Sequence, residues 1–280
     1  MPELAEVKIM GDFVNYVANR EMFFSGIEKS QASKVKTDLD VFQGNAFKLS
    51  ARTRGKEMLL EFSPVGEKIN GISKRLLCVT MGMSGSFVYV RQESERLEEI
   101  FKHAHLKLRT VKGNYLVLHD VRRFAKWKWS EGWNPGRGYC PLTEFNQFSL
   151  DIRVRWAKHK VFNTPLNEIL MNQALFNGVG NYLRSEILYR LDLNPFQPIR
   201  NLSTEELDQL LKICHLCCRD AYYLGGGQIR DWVNPQGTDG RNFGEWMKCY
   251  GKGLSVVDGS KRRFWYDPKW QEYLPESYKG

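Results

Sequence analysis

The sequence has no run of eighteen uninterrupted apolar residues among its 280, which excludes an ordinary transmembrane helix. The opening MPELAE also lacks the cationic segment and apolar core of a secretion signal, since Glu3 and Glu6 occupy those places. Hydrophobic residues make up 42% and charged residues 26%, as in an ordinary soluble protein. We therefore expect no membrane partner and no secretion, with the protein in the nucleus of a eukaryote or otherwise in the cytoplasm.

Cysteine is sparse, with six in the whole chain. They are scattered along the sequence, which indicates a reducing compartment rather than a disulfide framework. Cys214 and Cys217 have the spacing of metal ligands in CHLC, but no second CxxC follows them. They lie within an apolar helical run, so the pattern favours a small-residue helix face.

Acidic residues are fewer than basic ones, at 32 against 41, which gives a formal net charge of +9. A basic chain of this size favours a polyanionic partner, and nucleic acid is the default choice. Solubility alone could also explain the balance, so charge does not decide the function.

Hydrophobic periodicity changes along the chain. Residues 2–19 show one apolar helical face, and residues 21–130 contain short β-like runs separated by turn residues, which predicts a β-sandwich or barrel. The turn-rich stretch 133–151 is the expected exit from this part. The members of the apolar helical face are Val7, Met10, Phe13, Val14 and Val17.

Helical signals dominate the later part of the chain. Thr164 and Pro165 predict a helix start over 165–175, and Ser203 with Glu206 forms a capping-box pattern ahead of a long helix. Aromatic and basic runs at 245–254 and 260–270 predict a β-hairpin. A buried stripe is expected on the helix at 182–191, at Leu183, Ile187, Leu188 and Leu191.

Two short motifs could carry chemistry. Pro2 and Glu3 suit the first turn of a helix, but removal of Met1 would also place a free secondary amine beside a carboxyl group. An α-amino group titrates near pH 8, so on the order of 10% is the neutral nucleophile at pH 7. The loop FNGVGN at 176–181 could bind an anion with its backbone N–H groups, or it could be a tight turn between helices.

The paired motifs PELAEV and LFNGVGNYLRSEILYRLDLNPF resemble the formamidopyrimidine-DNA glycosylase/endonuclease VIII (Fpg/Nei) family, most of all its vertebrate-type endonuclease VIII-like branch. The similarity continues through ARTRGKEMLLEF, MGMSGSF, HAHLKL, VRRFAKW, PGRGYC and WMKCYG and so covers nearly the whole chain. It implies an α+β protein in which a β-sandwich and a helix-two-turn-helix domain flank a DNA groove. The expected domains are 1–145 (catalytic β-sandwich with a leading helix), 146–245 (helix-two-turn-helix) and 246–280 (a β-hairpin finger).

The resemblance assigns the catalytic residues of a bifunctional DNA glycosylase and abasic-site lyase. Pro2 would attack C1′ of the damaged nucleoside and form a Schiff base, Glu3 would be the acid/base, and Lys56 would act near the sugar or its phosphate. Strand cleavage would follow by β/δ-elimination. Two other functions remain possible: a catalytically silent binder of abasic or damaged DNA, and an RNA-binding module that uses only the helical part.

The resemblance also implies a DNA-binding set. Met83, Arg122 and Phe124 match positions that insert into the duplex after base flipping, although Met83 and Phe124 could be ordinary core residues. Asn181 and Arg262 match phosphate ligands, and the adjacent Arg263 competes with Arg262 for that role. Damaged DNA is the expected partner of a protein that we expect to be a monomer.

Other positions carry weaker expectations. Glu186 matches a family acid, but we predict an exposed helix glutamate, and His103 and His105 are predicted to be polar residues facing DNA. Most members of the family hold zinc in the finger with four cysteines, whereas this tail has only Cys249. We predict a zincless finger held by aromatic packing, with no metal and no cofactor. The finger aromatics are Trp246, Tyr250, Phe264, Trp265 and Tyr266.

The family pattern departs at two further places, where Leu4-Ala5 precedes Glu6 and where Asn172 replaces a frequent aspartate. The endonuclease VIII-like resemblance implies oxidised pyrimidines, ring-opened purines and hydantoins as substrates in preference to intact 8-oxoguanine. Residues 224–244 would form a loop over the flipped base. The sequence does not rank these lesions.

Overall fold

The computed structural model describes residues 2–31, 39, 45–66, 71, 73–227, 234 and 241–278. The described chain packs into two compact units. The first comprises described residues of 2, 6–134 and 227–234, and the second those of 3–5, 135–226 and 241–278. The domain boundaries predicted after residues 145 and 245 stay predictions.

The first unit is built on one antiparallel sheet of eight strands. Along the sheet the strands run β5-β7-β6-β1-β2-β3-β4-β8, so β5 and β8 are its edges. Its elements are α1 (Leu4–Glu21), β1 (Phe24–Lys29), β2 (Phe47–Arg54), β3 (Glu57–Pro64), β4 (Arg75–Thr80), β5 (Ser86–Val90), α2 (Leu97–Lys102), β6 (Ala104–Thr110), β7 (Tyr115–His119) and β8 (Lys126–Ser130).

Alternation of apolar and polar residues folds this sheet around a single core. In β2 the side chains of Phe47, Leu49 and Ala51 are buried while Lys48, Ser50 and Arg52 are exposed, as the two-residue period of a strand requires. All eight strands contribute side chains to one apolar cluster, and the predicted face of α1 packs into it. A sheet whose eight strands share one core must curve over it, which confirms the predicted β-sandwich.

The second unit is helical and ends in a small hairpin. Its elements are α3 (Phe145–Trp156), α4 (Leu166–Ile169), α5 (Asn181–Leu191), α6 (Thr204–Tyr223), α7 (Arg241–Trp246), β9 (Leu254–Val257) and β10 (Arg263–Tyr266), with 3-10 turns at Lys160–Asn163, Ile199–Asn201, Pro268–Tyr273 and Glu276–Tyr278. The predicted capping box is confirmed, because Ser203 and Glu206 exchange both hydrogen bonds at the start of α6. The stripe predicted on α5 is buried as well.

Two predicted elements are shorter than expected. The helix predicted over 165–175 ends at Ile169, and the Asn172 side chain accepts a hydrogen bond from the Ala174 amide at 3.0 Å. This local bond competes with helix continuation. The hairpin is confined to β9 and β10, because α7 ends at Trp246 and a turn follows it.

The finger hairpin packs through its aromatic side chains, as predicted. Phe264 and Tyr266 are buried in the core of the second unit. The Phe196 ring contacts both, with ring centroids 6.2 Å from Phe264 and 5.3 Å from Tyr266. These edge-to-face contacts fix β10 against the turn that follows α5.

All six cysteines are free and buried. Burial raises the pKa of the Cys217 thiol to about 12 and that of Cys249 to about 12. Cys214 and Cys217 are wholly buried on α6, which confirms the helix-face interpretation of CHLC. Among the described residues no three His, Cys, Asp or Glu side chains converge as metal ligands, and no described helix has the length and apolarity to cross a membrane.

Candidate active site and nucleic-acid interface

Glu3 lies at the amino-terminal end of α5. Its carboxylate accepts hydrogen bonds from the backbone N–H groups of Gly180 at 2.7 Å, Tyr182 at 2.9 Å and Leu183 at 3.3 Å. A Cβ atom on Gly180 would lie 2.3 Å from the Glu3 Cδ atom, so only glycine leaves room for the carboxylate. The anion at this helix end is therefore a side chain of the chain itself.

This arrangement fixes the position of the chain immediately after Pro2. Glu3 is 2% exposed, and the next residue, Leu4, donates its amide to the Gly178 carbonyl at 3.1 Å. The FNGVGN loop thus uses its backbone to hold the start of the chain. Pro2 itself is buried and is assigned to the first unit, whereas Met1 lies outside the described residues.

Lys56 lies at the tip of the hairpin between β2 and β3. The strands pair up to Arg54 and Glu57, so Gly55 and Lys56 alone form the turn. Gly55 adopts φ of +57°, a left-handed conformation in which glycine is favoured. The Lys56 side chain is half-buried at this turn.

Met83, Arg122 and Phe124 lie on two turns of the first unit. Met83 is 41% exposed and Phe124 is 47% exposed, so neither is a core residue. Arg122 is exposed as well, and its guanidinium lies 5.0 Å from the centre of the Phe124 ring. The three side chains thus form an exposed group with two apolar members and one cation.

Asp120, which is fully buried, joins these two turns. One carboxylate oxygen accepts hydrogen bonds from the Ser84 hydroxyl and from the Arg122 amide, the latter at 3.1 Å. The other oxygen accepts from the Ala125 amide at 2.7 Å. Gly82 brings the turns together, because a Cβ atom there would lie 2.6 Å from the Phe124 backbone.

Asn181 and Arg262 lie close to one another within the second unit. Asn181 begins α5, and its amide group donates to the Arg263 carbonyl at 2.7 Å. Arg262 is exposed at the turn before β10, and its guanidinium bonds to nothing in the described part of the chain. The Arg263 guanidinium instead donates to the Ser255 hydroxyl at 3.3 Å across the hairpin.

The prediction of an exposed Glu186 is wrong. The side chain is fully buried, and its carboxylate accepts from the amides of Lys248 at 2.9 Å, Cys249 at 2.8 Å and Tyr250 at 2.8 Å. Arg190, one helical turn further on, pairs with the same carboxylate. Glu186 therefore holds the turn that leads into the finger, because those three amides have no partner in a helix or strand.

The prediction that His105 faces DNA is also wrong. His105 is 3% exposed, and its ring meets the Trp127 ring edge-on with centroids 5.7 Å apart. Burial lowers the pKa of His105, so the neutral imidazole is favoured. His103 is half-buried, with its ring centre 5.6 Å from that of His119.

The predicted loop over the flipped base falls mostly outside the described residues, which omit 228–233 and 235–240. At its described start, the Gly227 amide donates to the buried Glu6 carboxylate at 2.7 Å. The role of this loop stays a prediction.

Sequence reasoning missed three buried charges near the predicted ligands: Asp120, Arg184 and Asp258. Arg184 offered a signal, since it is a charged residue between the buried residues Leu183 and Ile187 of α5. Asp120 precedes VRRF and Asp258 precedes a Gly-Ser pair, and both patterns are typical of aspartates that shape turns. Neither pattern reveals burial.

Known proteins share both parts of this chain that carry the motifs described above. Residues 1–127 match the family model of the formamidopyrimidine-DNA glycosylase N-terminal domain, and residues 141–232 match its H2TH domain. The human protein endonuclease 8-like 1 is 35% identical over 294 aligned positions that cover 95% of this chain and 72% of the relative. The formamidopyrimidine-DNA glycosylase of Klebsiella pneumoniae is 33% identical, with 73% and 71% covered.

Solved structures share the fold. A complex between Lactococcus lactis Fpg and DNA containing an abasic site aligns with a TM-score of 0.75 at 20% identity, covering 95% of this chain and 98% of the other. Two domain models of one family match this chain, and a relative at 35% identity covers 95% of it. This chain therefore belongs to the Fpg/Nei family of DNA glycosylases that repair damaged bases.

Proposed function

We propose that the protein is a bifunctional DNA glycosylase and abasic-site lyase that uses the amine of Pro2 as its nucleophile. The observation that carries the proposal is the binding of Glu3 by the amides of α5, because it fixes the backbone that follows Pro2 to a rigid helix end. A nucleophile that must reach one carbon of a flipped nucleoside benefits from such an anchor. The proposal assumes that Met1 is removed.

The chemistry follows in four steps. The proline lone pair bonds to C1′ while the glycosidic bond breaks, and its electron pair leaves with the base, which takes up a proton. In the second step the nitrogen loses its proton and expels O4′, which takes up a proton as the sugar ring opens, and C1′ becomes an iminium. The iminium withdraws electrons from the sugar, so a base removes a C2′ proton and the C3′–O bond breaks, releasing the strand on the 3′ side with its phosphate. Water then hydrolyses the imine and regenerates the amine.

Glu3 and Lys56 would assist these steps. The carboxyl of Glu3 is adjacent in sequence to the nucleophile, and Lys56 at the tip of its hairpin supplies a cation suited to the sugar phosphate. Met83, Arg122 and Phe124 would fill the space left by the flipped base, since an exposed group of two apolar side chains and an arginine has the character of a wedge. Asn181 and Arg262 would bind phosphates.

Damaged DNA is the proposed substrate, in the nucleus if the source is a eukaryote and otherwise in the cytoplasm, with the protein acting as a monomer. Oxidised pyrimidines and ring-opened purines are the proposed lesions. A cleavage assay over duplexes that each carry one lesion tests this range, and preferred cleavage of intact 8-oxoguanine would contradict it.

Borohydride trapping tests the mechanism. Wild-type protein mixed with a duplex that carries one oxidised pyrimidine should become covalently linked to the DNA when the Schiff base is reduced. A Pro2→Gly variant should trap far less, a form that retains Met1 should not trap, and Lys56→Met should slow trapping. Lys48→Met, at an exposed position of β2, should behave as wild type. A wild type that binds the duplex but never traps would instead be the silent binder.

A further inference from the structure

The turn that carries Arg262 is shaped by one carboxylate. Asp258 is 4% exposed, and its Oδ1 atom accepts from the Ser260 amide at 2.9 Å and from the Arg262 amide at 3.0 Å. Its backbone completes the turn, since the Asp258 amide donates to the Arg262 carbonyl at 2.9 Å. Asp258 thus fixes the backbone from which the Arg262 side chain projects.

The second oxygen of the same carboxylate is bound by Arg184 of α5. The two side chains are 0% and 1% exposed, so the ion pair is wholly buried. Arg184 also donates to the Asn167 carbonyl at 3.0 Å, and its guanidinium lies 4.8 Å from the centre of the Phe264 ring. The pair therefore connects α4 and α5 to the hairpin.

Arg184 also reaches Asn181. Its second terminal nitrogen donates to the Asn181 side-chain oxygen, which leaves the amide group of Asn181 to donate to the Arg263 carbonyl at 2.7 Å. One guanidinium thus sets the orientation of the Asn181 side chain and, through Asp258, the position of the Arg262 turn.

We propose that the buried Arg184–Asp258 ion pair is a positioning element that holds Asn181 and Arg262 at the spacing needed to bind phosphates of one DNA duplex. The inference rests on the proposed function in taking Asn181 and Arg262 as phosphate ligands. Burying two charges is costly, and an apolar pair of similar volume often stabilises a fold equally well. Because these charges bond to the Asn181 side chain and to the backbone of the Arg262 turn, they have a geometric role rather than a contribution to stability alone.

Binding to a duplex with a stable abasic-site analogue, measured over a range of salt concentrations, tests this role. Asp258→Asn removes a negative charge, so general electrostatics predicts tighter binding to DNA. Positioning predicts the opposite result. The affinity should fall about tenfold, and the slope of log affinity against log salt concentration should decrease by the equivalent of roughly one phosphate contact. The single-turnover rate at saturating DNA should remain close to that of wild type. Asp192→Asn, on an exposed residue, is the control for charge and should not weaken binding.

A double-mutant cycle identifies the residue through which Asp258 acts. Arg262→Gln should weaken binding by a similar factor, and the Asp258→Asn/Arg262→Gln double variant should bind no worse than Arg262→Gln alone, because the turn then has no phosphate ligand to position. Additive losses would overturn the inference.

The variant Arg184→Met/Asp258→Leu separates positioning from stability. We expect this apolar pair to restore the unfolding temperature relative to Asp258→Asn while DNA binding stays weak. Recovery of both stability and binding would show a purely structural pair and overturn the inference. A wild type that does not bind the abasic duplex at all would overturn the proposed function and the inference together, whereas binding that is unchanged in Asp258→Asn would overturn the inference alone.

Discussion

Glu186→Ala should release the turn at residues 248–250 from α5. In the native protein the Glu186 carboxylate is the acceptor for three consecutive backbone amides, and it also pairs with Arg190. Alanine removes the acceptor, and α5 accommodates alanine well because alanine has a high helix propensity. The change therefore isolates the carboxylate from any effect on helix propensity.

The expected cost follows from the burial of each partner. Cys249 is 1% exposed, so its orphaned amide costs about 1–3 kcal/mol. The amides of Lys248 and Tyr250 belong to exposed and half-buried residues and together cost about 1 kcal/mol. Arg190 keeps its 2.7 Å bond to the Trp246 carbonyl and is a quarter exposed, so the lost pair costs about 1 kcal/mol or less.

These contributions amount to about 2–5 kcal/mol of local stability, and the middle of that range is a rise of roughly 300-fold in the opening equilibrium of the turn. Amide hydrogen exchange of a peptide covering residues 246–253 measures this opening directly. Glu186→Gln keeps one carbonyl oxygen but turns an NH₂ group toward an amide donor, so it should lose about 2 kcal/mol, or roughly 30-fold in protection.

Glu245→Gln, on an exposed side chain of α7, is the matched control and should leave the exchange rates unchanged. Protection in Glu186→Ala within threefold of wild type would refute the view that this carboxylate holds the turn.

Four further outcomes are expected. Gly82→Ala should lower the free energy of unfolding by about 2 kcal/mol or more in urea titrations, because φ is +62° there and the new Cβ atom meets the Phe124 backbone, whereas Gly26→Ala has open space and should not. Burial lowers the pKa of His105, so the unfolded chain binds a proton at this residue at a higher pH than the folded protein does. The free energy of unfolding should therefore be fully maintained above about pH 6.5 and should decline as the pH falls below that value. His105→Gln should weaken this decline in unfolding titrations at several pH values. Ser203→Ala should cost about 1 kcal/mol by loss of the capping box, measured by thermal unfolding. Dialysis against a metal chelator should leave both lesion cleavage and the unfolding temperature unchanged, and loss of either would contradict a zincless finger.

Local patterns in the sequence predicted most of the fold. The two-residue alternation of β2 and the capping box at Ser203 depend on neighbours in the chain, so they are visible without a structure. The helix expected at 165–175 failed because the Asn172 side chain bonds its own backbone, which competes with the helix at a single position.

The supporting charges of the site were less predictable. Glu186 bonds amides 62 to 64 positions away, and Arg184 pairs with Asp258 74 positions away, so no short window of sequence contains both partners. A glutamate on a helix is exposed by default, and only the packing of the finger against α5 reverses that expectation. The family resemblance supplied the residues that would touch DNA, whereas the buried groups that hold them required three-dimensional contacts.

The burial of every thiol has a consequence for the rate at which peroxide can oxidise the cysteines. Peroxide attacks the thiolate, and with a pKa of about 12 Cys249 and Cys217 are almost entirely in the thiol form at cellular pH. These two thiols thus offer peroxide little reactive thiolate, and the turn that leads into the finger is held by the Glu186 carboxylate, which peroxide leaves intact.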